Sequence, residues 1–329
     1  MTYNVFIDRF IHPFIIYVVV GTLATYLLTL LIIRLLGVKD ARARAVLYSI
    51  SFLVPIASYL IFRPFATYNC ILFKRPFGLI STWLCSGGKI LASVLTPLFF
   101  AVTVFAVFKA GLSLFATRRI TRKYGYSSLS DYPKLFSMLE ALCSKSTVDV
   151  PRIIVTKDLF ARSFTMGYKN PVIVFSEGLL NSLDDDELET VIAHELGHVV
   201  WADSVLNWVT VLLRDIMFFT PLTFLIFRRL AAEKEQASDD FAIKLTNKPL
   251  AFAHALIKVW KLSPRTLFNN LAFDNFMPHP NFINSSGVLE LRVKRIIENE
   301  HSATNTSFVT ASAILLLTVL SLWFVYWFC

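Results

Sequence analysis

Four apolar stretches, each close to the length of a membrane-spanning helix, limit what this 329-residue chain can fold into. They cover residues 14–33, 46–61, 90–107 and 308–328. A helix needs about 20 mainly apolar residues to cross a bilayer, and the second stretch lies near the lower limit of about 17. The last stretch ends in WFVYWF, the aromatic belt expected at a membrane interface. We therefore expect an integral membrane protein with several spanning helices.

The composition changes between the third and fourth stretches. Of the whole chain 55% is hydrophobic and 17% charged, and residues 118–307 hold most of the charge and many turn signals. That segment is long enough for one compact domain. The predicted plan is an N-terminal membrane region at 1–117, with helices at about 14–36, 46–61 and 90–115, then a domain at 118–307, and a closing transmembrane helix at 308–329.

The first stretch is also compatible with a cleaved signal peptide, but it is long for one and lacks a basic start and an A-x-A site. The cations that follow the first and third stretches predict the orientation. They are Arg34, Lys39, Arg42, Arg44, Arg118, Arg119, Arg122 and Lys123. Because cytoplasmic loops are enriched in such residues, we expect the 118–307 domain in the cytoplasm, at a plasma or inner membrane. The four cations within residues 63–89 oppose this orientation.

The net charge of +9 would suit anionic lipid headgroups, although a positive-inside excess with no implied partner explains it equally well. No arginine–aromatic pattern points to nucleic acid. Cys70 and Cys85 share the loop predicted to be external and would be able to pair in an oxidising compartment, but spacing alone does not fix a disulfide. The sequence contains no C-x-x-C pair, so a zinc site built from cysteines is not expected.

The stretch NSLDDDELETVIAHELGHVV, residues 181–200, predicts a helix that begins in water. Ser182 is the expected N-cap, and acidic residues fill the first turn, where the helix dipole favours them. His194 and His198 lie four residues apart and share a face, so they are able to bind one metal ion. Glu195 follows the first histidine, where a base for a zinc-bound water would stand. Two histidines packed in an apolar groove are the alternative.

A third ligand is expected from AAEKEQASDDFAIKL, residues 231–245. Its apolar residues repeat at helical spacing, and Glu235 and Asp239 share a face. This arrangement suits a carboxylate ligand and a second carboxylate that orients a histidine. The alternative is a solvated acidic face paired with Lys234 and Lys244.

These motifs resemble two related groups of membrane zinc peptidases of the gluzincin type. HELGH, with Asp203 five residues on and E-x-x-S-D at 235–239, is similar to both groups. SFTMGYKNPVIVFSEGLL and FRRLAAEKEQASDD resemble the antirepressor family that includes the beta-lactam sensors. MPHPNFINSSGVLELRVKRI resembles the HtpX-like and CAAX-prenyl-protease-like family. The resemblance covers roughly residues 150–297 and implies an α+β zincin-like domain with a small sheet, in a mainly α membrane protein.

By position, the resemblance implies one Zn²⁺ per chain. His194, His198 and Glu235 match the zinc ligands of these families, and Glu195 matches the catalytic base. His279 matches a histidine that helps to stabilise the oxyanion.

The residues implied to support the ligands are Asp239, Asp203 and Arg292. Three departures from the family patterns stand out: Ser238 replaces an alanine, the spacing from His279 to Arg292 is longer, and RSF at 162–164 replaces the Asn-Ala-Phe motif.

The segment between the two motifs is apolar, yet one spanning helix there would place Glu235 and His194 on opposite sides of the membrane. Arg214 and Asp215 also stand in its middle, at a cost of a few kcal/mol each near the bilayer centre. We therefore expect a hairpin at about 204–227, with Pro221 near its bend, that dips into the membrane or lies on it.

The predicted function is a membrane-embedded zinc endopeptidase acting on membrane or membrane-proximal proteins, with PVIVF at 171–175 as an edge strand that binds an extended peptide. A regulatory protease that cleaves a repressor or matures a peptide is the alternative within this class. From other classes, a non-catalytic membrane protein with a structural metal site and a transporter are the alternatives. Protein or peptide substrates and the lipid bilayer are the expected partners, and an oligomer is compatible with the sequence.

Overall fold

The computed structural model describes residues 10–62, 78–167, 170–263, 286–298 and 307–328. The helices it describes are α1 (His12–Leu35), α2 (Ala41–Phe62), α3 (Gly78–Tyr124), α4 (Pro133–Ser146), α5 (Glu177–Ser182), α6 (Asp185–Val200), α7 (Asp203–Ile216), α8 (Pro221–Thr246), α9 (Pro249–Leu262), α10 (Ser286–Ile297) and α11 (Ser307–Phe328). The strands are β1 (Arg152–Thr156), β2 (Ser163–Met166) and β3 (Val172–Ser176).

The chain divides into two compact units. The first contains Met1–Phe108, Thr210–Leu230 and Ala303–Cys329, and the second contains Lys109–Val209 and Ala231–Ser302. The helices α7 and α8 therefore each run from one unit into the other. We call the first the membrane unit and the second, after the domain that the family resemblance implies there, the peptidase unit.

The membrane unit is built from long apolar helices. Three described helical segments are long and apolar enough to cross a membrane: His12–Leu35, Ala41–Ile61 and Ala92–Tyr124, the last of which continues into the peptidase unit. The second of these had a marginal predicted length, because the apolar stretch starts at residue 46 whereas the helix already begins at Ala41. This helical membrane architecture confirms the predicted fold class.

Small and hydroxyl residues hold α1 and α2 together. The hydroxyls of Thr29 and Ser51 lie 2.8 Å apart, and both side chains are fully buried. Gly21 meets Pro55 of α2, whose Cβ would lie 3.2 Å from a Cβ added at the glycine. Since lipid offers no hydrophobic drive between helices, such close packing and hydrogen bonding are what join spanning helices.

The segment predicted as a hairpin forms α7, a turn at 217–220, and the first part of α8. Pro221 begins α8, where its fixed φ suits the first turn of a helix. Arg214 donates to Asp215 at 2.8 Å and lies over the ring of Phe227, 4.7 Å from its centroid. The two charges therefore neutralise each other inside an apolar segment.

The sheet of the peptidase unit corrects one expectation. The strand order is β1-β3-β2, with β1 parallel and β2 antiparallel to β3. The segment PVIVF therefore forms the central strand β3, and the prediction of an edge strand there was wrong. Every residue of β3 is buried, which is the pattern of a strand covered on both faces and paired on both sides. Within the described residues, β2 forms an edge of the sheet.

The start of α6 differs from its prediction by two residues. Asp184, not Ser182, is the N-cap: its carboxylate accepts from the Glu187 backbone at 2.9 Å, and the Glu187 carboxylate accepts from the Asp184 backbone at 3.0 Å. A reciprocal capping box satisfies two backbone donors, whereas Ser182 would satisfy one. Ser182 ends α5 instead, where its hydroxyl donates to the Leu179 carbonyl.

Candidate metal centre

Three side chains from two helices converge on one point. The Nε2 atoms of His194 and His198 lie 3.3 Å apart. The Glu235 carboxylate lies 3.7 Å from the first and 3.6 Å from the second. Zinc bonds of about 2.0–2.1 Å at tetrahedral angles would place ligand atoms about 3.3 Å apart. These three residues therefore fit a zinc ion, and they are the group among the described residues whose spacing suits a metal.

A glycine allows the two helices to approach. Gly197 stands between the histidines on α6, and a Cβ there would lie 3.3 Å from the Cα of Ser238 and equally close to the ring of Phe241. Both contacts come from α8, the helix that carries Glu235. Gly197 was not among the predicted site residues, although the glycine of HELGH is the signal of a close helix contact.

His198 is held by a buried network. Its Nδ1 lies 2.9 Å from Asp203 Oδ2 and 3.2 Å from the Ser238 hydroxyl. Lys234 in turn lies 3.2 Å from the other Asp203 oxygen and donates to Asn207 at 2.6 Å. Lys234 is 3% exposed, so the interpretation of this lysine as part of a solvated face was wrong. The sequence gives no sign of this burial, since a lysine beside acidic residues is usually solvated.

This network also affects the charge of His198. Burial disfavours the protonated ring, but the hydrogen bond to Asp203 and the negative charge of Glu235 outweigh it and raise the pKa of His198 to about 9. Metal binding must then displace the Nε2 proton while Asp203 keeps the proton on Nδ1.

His194 has a matching arrangement on the other side of the site. Its Nδ1 lies 3.1 Å from Asp239 Oδ1. Arg292 donates to both oxygens of Asp239, at 2.9 and 2.6 Å, and lies 3.2 Å from Glu235. Burial alone would raise the pKa of Asp239, but the charge of Arg292 lowers it well below its usual range. The structure thus brings Asp239 and Arg292 together as the resemblance implies.

Both histidines therefore present Nε2 to the same point, while a carboxylate oxygen lies 3.1 Å from Nδ1 of His194 and 2.9 Å from Nδ1 of His198. Metal-binding histidines are commonly oriented in this way, because the partner on the second nitrogen fixes the tautomer and the ring plane. The donor set is thus arranged for a cation, and the alternative of two histidines merely packed in an apolar groove does not account for it.

Glu195 lies outside the three-ligand group and has its own partner. It is 4% exposed, and the hydroxyl of Thr165 donates to its Oε2 at 2.9 Å. Thr165 lies on β2, so the sheet edge and the expected base are in direct contact. Thr165 was not among the predicted site residues, because the edge strand was expected at 171–175. His279 falls outside the described residues, as does Cys70, so their roles stay predictions.

Comparison with known proteins identifies the family. The family model described as BlaR1 peptidase M56 matches residues 88–278, more than half of the chain.

The chain belongs to the BlaR1 peptidase M56 family.

Several curated relatives are HtpX homologues. Protease HtpX homolog of Acidiphilium cryptum is 28% identical over 178 residues, which cover 43% of this chain and 62% of that protein. Protease HtpX homolog 1 of Streptomyces coelicolor is 27% identical over 221 residues, 55% of this chain and 71% of the relative. The homologue of Methanothermobacter thermautotrophicus is 26% identical over 217 residues, 57% of this chain and 83% of the relative. The aligned part thus leaves some of each relative unmatched.

Among solved structures, the crystal structure of Ste24p from S. mikatae aligns with 86% of this chain and 99% of its own, at 14% identity and a TM-score of 0.32. The family match and the apolar helices together establish an integral membrane protein of a metallopeptidase family.

Proposed function

We propose that this protein is a zinc-dependent endopeptidase that cleaves membrane or membrane-proximal proteins. The observation that carries the proposal is the convergence of His194, His198 and Glu235, at ligand spacing, beside the separately held carboxylate of Glu195. A structural zinc site has no need of that extra buried carboxylate, which is why a catalytic role is favoured over a purely structural one.

The residues divide the chemistry among them. His194, His198 and Glu235 would hold the zinc ion, which when bound polarises a carbonyl and acidifies water. Glu195 would accept a proton from the attacking water and donate it to the leaving nitrogen of the scissile bond. Arg292 and Asp239 would keep His194 and Glu235 in place. By resemblance, His279 would stabilise the developing oxyanion.

The outer edge of β2, which pairs with no other strand among the described residues, would bind the substrate as an added strand. The Ser176 backbone N–H donates to the Arg162 carbonyl, and hydrogen-bonded and non-bonded pairs alternate along an antiparallel ladder. Ser163 and Thr165 then direct their backbone groups away from β3. An extended peptide paired with these groups would lie beside Glu195, because Thr165 contacts that residue directly.

The order of the helices along the chain supports the proposal that the substrates lie near the membrane. The metal helix α6 is followed after two residues by α7, which continues into the membrane unit, and α8 returns from that unit with Glu235. We propose that the peptidase unit faces the cytoplasm, as the cationic residues after the spanning segments indicate. Cleavage of a repressor or maturation of a peptide would use the same site on a narrower set of substrates.

The variant Glu195→Gln tests the proposal. Purified in detergent, it should bind one zinc ion per chain as the parent does, yet cleave fluorogenic casein about 10²–10⁴-fold more slowly, the contribution of a general base. Glu189→Gln is the matched control, because Glu189 lies on the same helix but pairs with Lys248. Parent-like cleavage by the Glu195 variant would exclude the assigned base. Zinc in the parent without any cleavage would favour the structural site.

Substrates would then come from proteomics of cells that carry the parent or the Glu195→Gln protein. Membrane proteins that accumulate only with the variant are the expected result. Accumulation of a single repressor or precursor would favour the regulatory alternative.

A further inference from the structure

The contact between Thr165 and Glu195 joins two parts of the proposed site that lie 30 positions apart in the chain. Thr165 is 7% exposed and lies on the edge strand, whereas Glu195 lies on the metal helix. The Thr165 hydroxyl is 2.9 Å from Glu195 Oε2 and 3.3 Å from the Glu195 backbone carbonyl. A hydroxyl has one proton, and the nearer, charged carboxylate is the stronger acceptor.

We infer that Thr165 is a positioning residue, which holds the Glu195 carboxylate in the orientation that its role as base requires. The inference rests on the proposed function and adds to it a residue that touches neither the metal nor the scissile bond. With Oε2 held by Thr165, Oε1 is the oxygen left to accept the proton of water.

The backbone of Thr165 has a second task under the same proposal. Its carbonyl lies on the outer edge of β2, where it accepts a hydrogen bond from the Ser204 hydroxyl at 3.2 Å. A substrate strand would donate to the second lone pair of this carbonyl. The backbone of one residue thus borders the substrate while its side chain orients the base. Placing a peptide on this edge would therefore set the scissile bond at a fixed distance from an already oriented carboxylate.

Removing the Thr165 hydroxyl should affect the orientation of Glu195 without affecting the pairing of the Thr165 backbone with a substrate. Thr165→Val keeps the size, the β-branching and the backbone of the edge strand, but leaves Glu195 without its donor. We expect kcat to fall about 10–100-fold, the penalty of a misoriented catalytic group, while KM changes less than about twofold. Zinc content should stay that of the parent, because Thr165 contacts no member of the ligand group.

Thr165→Ser restores the donor and removes only a methyl group, so its kcat should stay within about threefold of the parent. Thr165→Ala provides a second hydroxyl-free variant in case valine disturbs the packing beside Glu195. Thr190→Val is the matched control: Thr190 is fully buried on the same helix as Glu195, but its hydroxyl donates to the Glu187 carbonyl.

The positioning role of Thr165 is tested by measuring cleavage of fluorogenic casein or of a derived peptide. Zinc content is measured in parallel. A reduced kcat in the valine and alanine variants, with rescue by serine, supports the inference. An unchanged kcat, or a raised KM alone, overturns it and leaves Thr165 as a packing residue of the strand. If the parent shows no cleavage that depends on Glu195, the proposed function fails, and this inference fails with it.

Discussion

The ammonium group of Lys234 lies 3.2 Å from the carboxylate of Asp203, and both side chains are almost completely buried. The other oxygen of Asp203 holds Nδ1 of His198. Lys234 directly precedes the proposed ligand Glu235 in sequence, yet its contact through Asp203 leads to a different proposed ligand, His198. On the other side, Arg292 acts on His194 through Asp239, so each histidine is backed by one carboxylate and one cation.

Replacing Lys234 with methionine should weaken zinc binding and the fold together. The substitution keeps the length of the side chain but leaves the Asp203 carboxylate buried without its cation, at a cost of about 3–5 kcal/mol. We expect zinc affinity to fall about 10–100-fold, as for other groups that orient metal ligands. Competition with a chelator measures this, and thermal unfolding in detergent measures stability.

Lys244→Met is the control, because Lys244 is an exposed residue of the same helix. Parent-like zinc affinity in Lys234→Met would mean that Lys234 does not contribute to the placement of His198.

Arg292→Lys should impair the other half of the site. Arg292 donates two parallel hydrogen bonds to Asp239 and also lies 3.2 Å from Glu235, a geometry that a single ammonium group cannot reproduce. We expect zinc affinity to fall about tenfold or more. Arg295→Lys serves as the comparison, since Arg295 lies on the same helix as Arg292 but pairs with Asp240 instead of Asp239. Equal affinities in the two variants would contradict the role given to Arg292.

Local spacing together with the family resemblance singled out His194, His198, Glu235 and Asp239, which the structure brings together at the candidate metal centre. The i, i+4 relations of His194 with His198 and of Glu235 with Asp239 depend only on helix geometry, which sequence states directly. The burial of Lys234 and the contact of Thr165 with Glu195 depend on how distant segments pack, and no local pattern encodes them. The central place of β3 was missed for the same reason, because strand order is set by pairing partners.

Removing the metal should destabilise the peptidase unit specifically. A ligand that binds only the folded state adds about 2.7 kcal/mol of stability at 100 times its Kd. Treating the parent or Glu195→Gln with a chelator should therefore lower the thermal unfolding temperature of both, and added zinc should restore it. His198→Ala should lack this response, because one of the three ligand atoms is gone. A chelator response in His198→Ala equal to that of the parent would contradict the ligand assignment.

A close backbone contact at the start of α5 predicts a large effect of a single methyl group. A Cβ at Gly178 would lie 2.1 Å from the backbone carbonyl of Leu159, and the Gly178 N–H donates to the Asp158 carbonyl at 2.9 Å. The obstacle is backbone, which cannot rotate away, so Gly178→Ala must displace the loop between β1 and β2. We expect a loss of about 1–3 kcal/mol, the usual cost of overpacking.

That loop leads directly into β2, so the displacement should also reach Thr165 and reduce kcat. Gly287→Ala is the matched control: none of the described residues lies within 4 Å of its added Cβ, so alanine there should change stability little. The thermal unfolding temperature of Gly178→Ala in detergent should therefore fall, while that of Gly287→Ala should stay close to that of the parent. Equal shifts would mean that the contact between Gly178 and Leu159 does not constrain the loop, and β2 would then owe its position to its pairing with β3 alone.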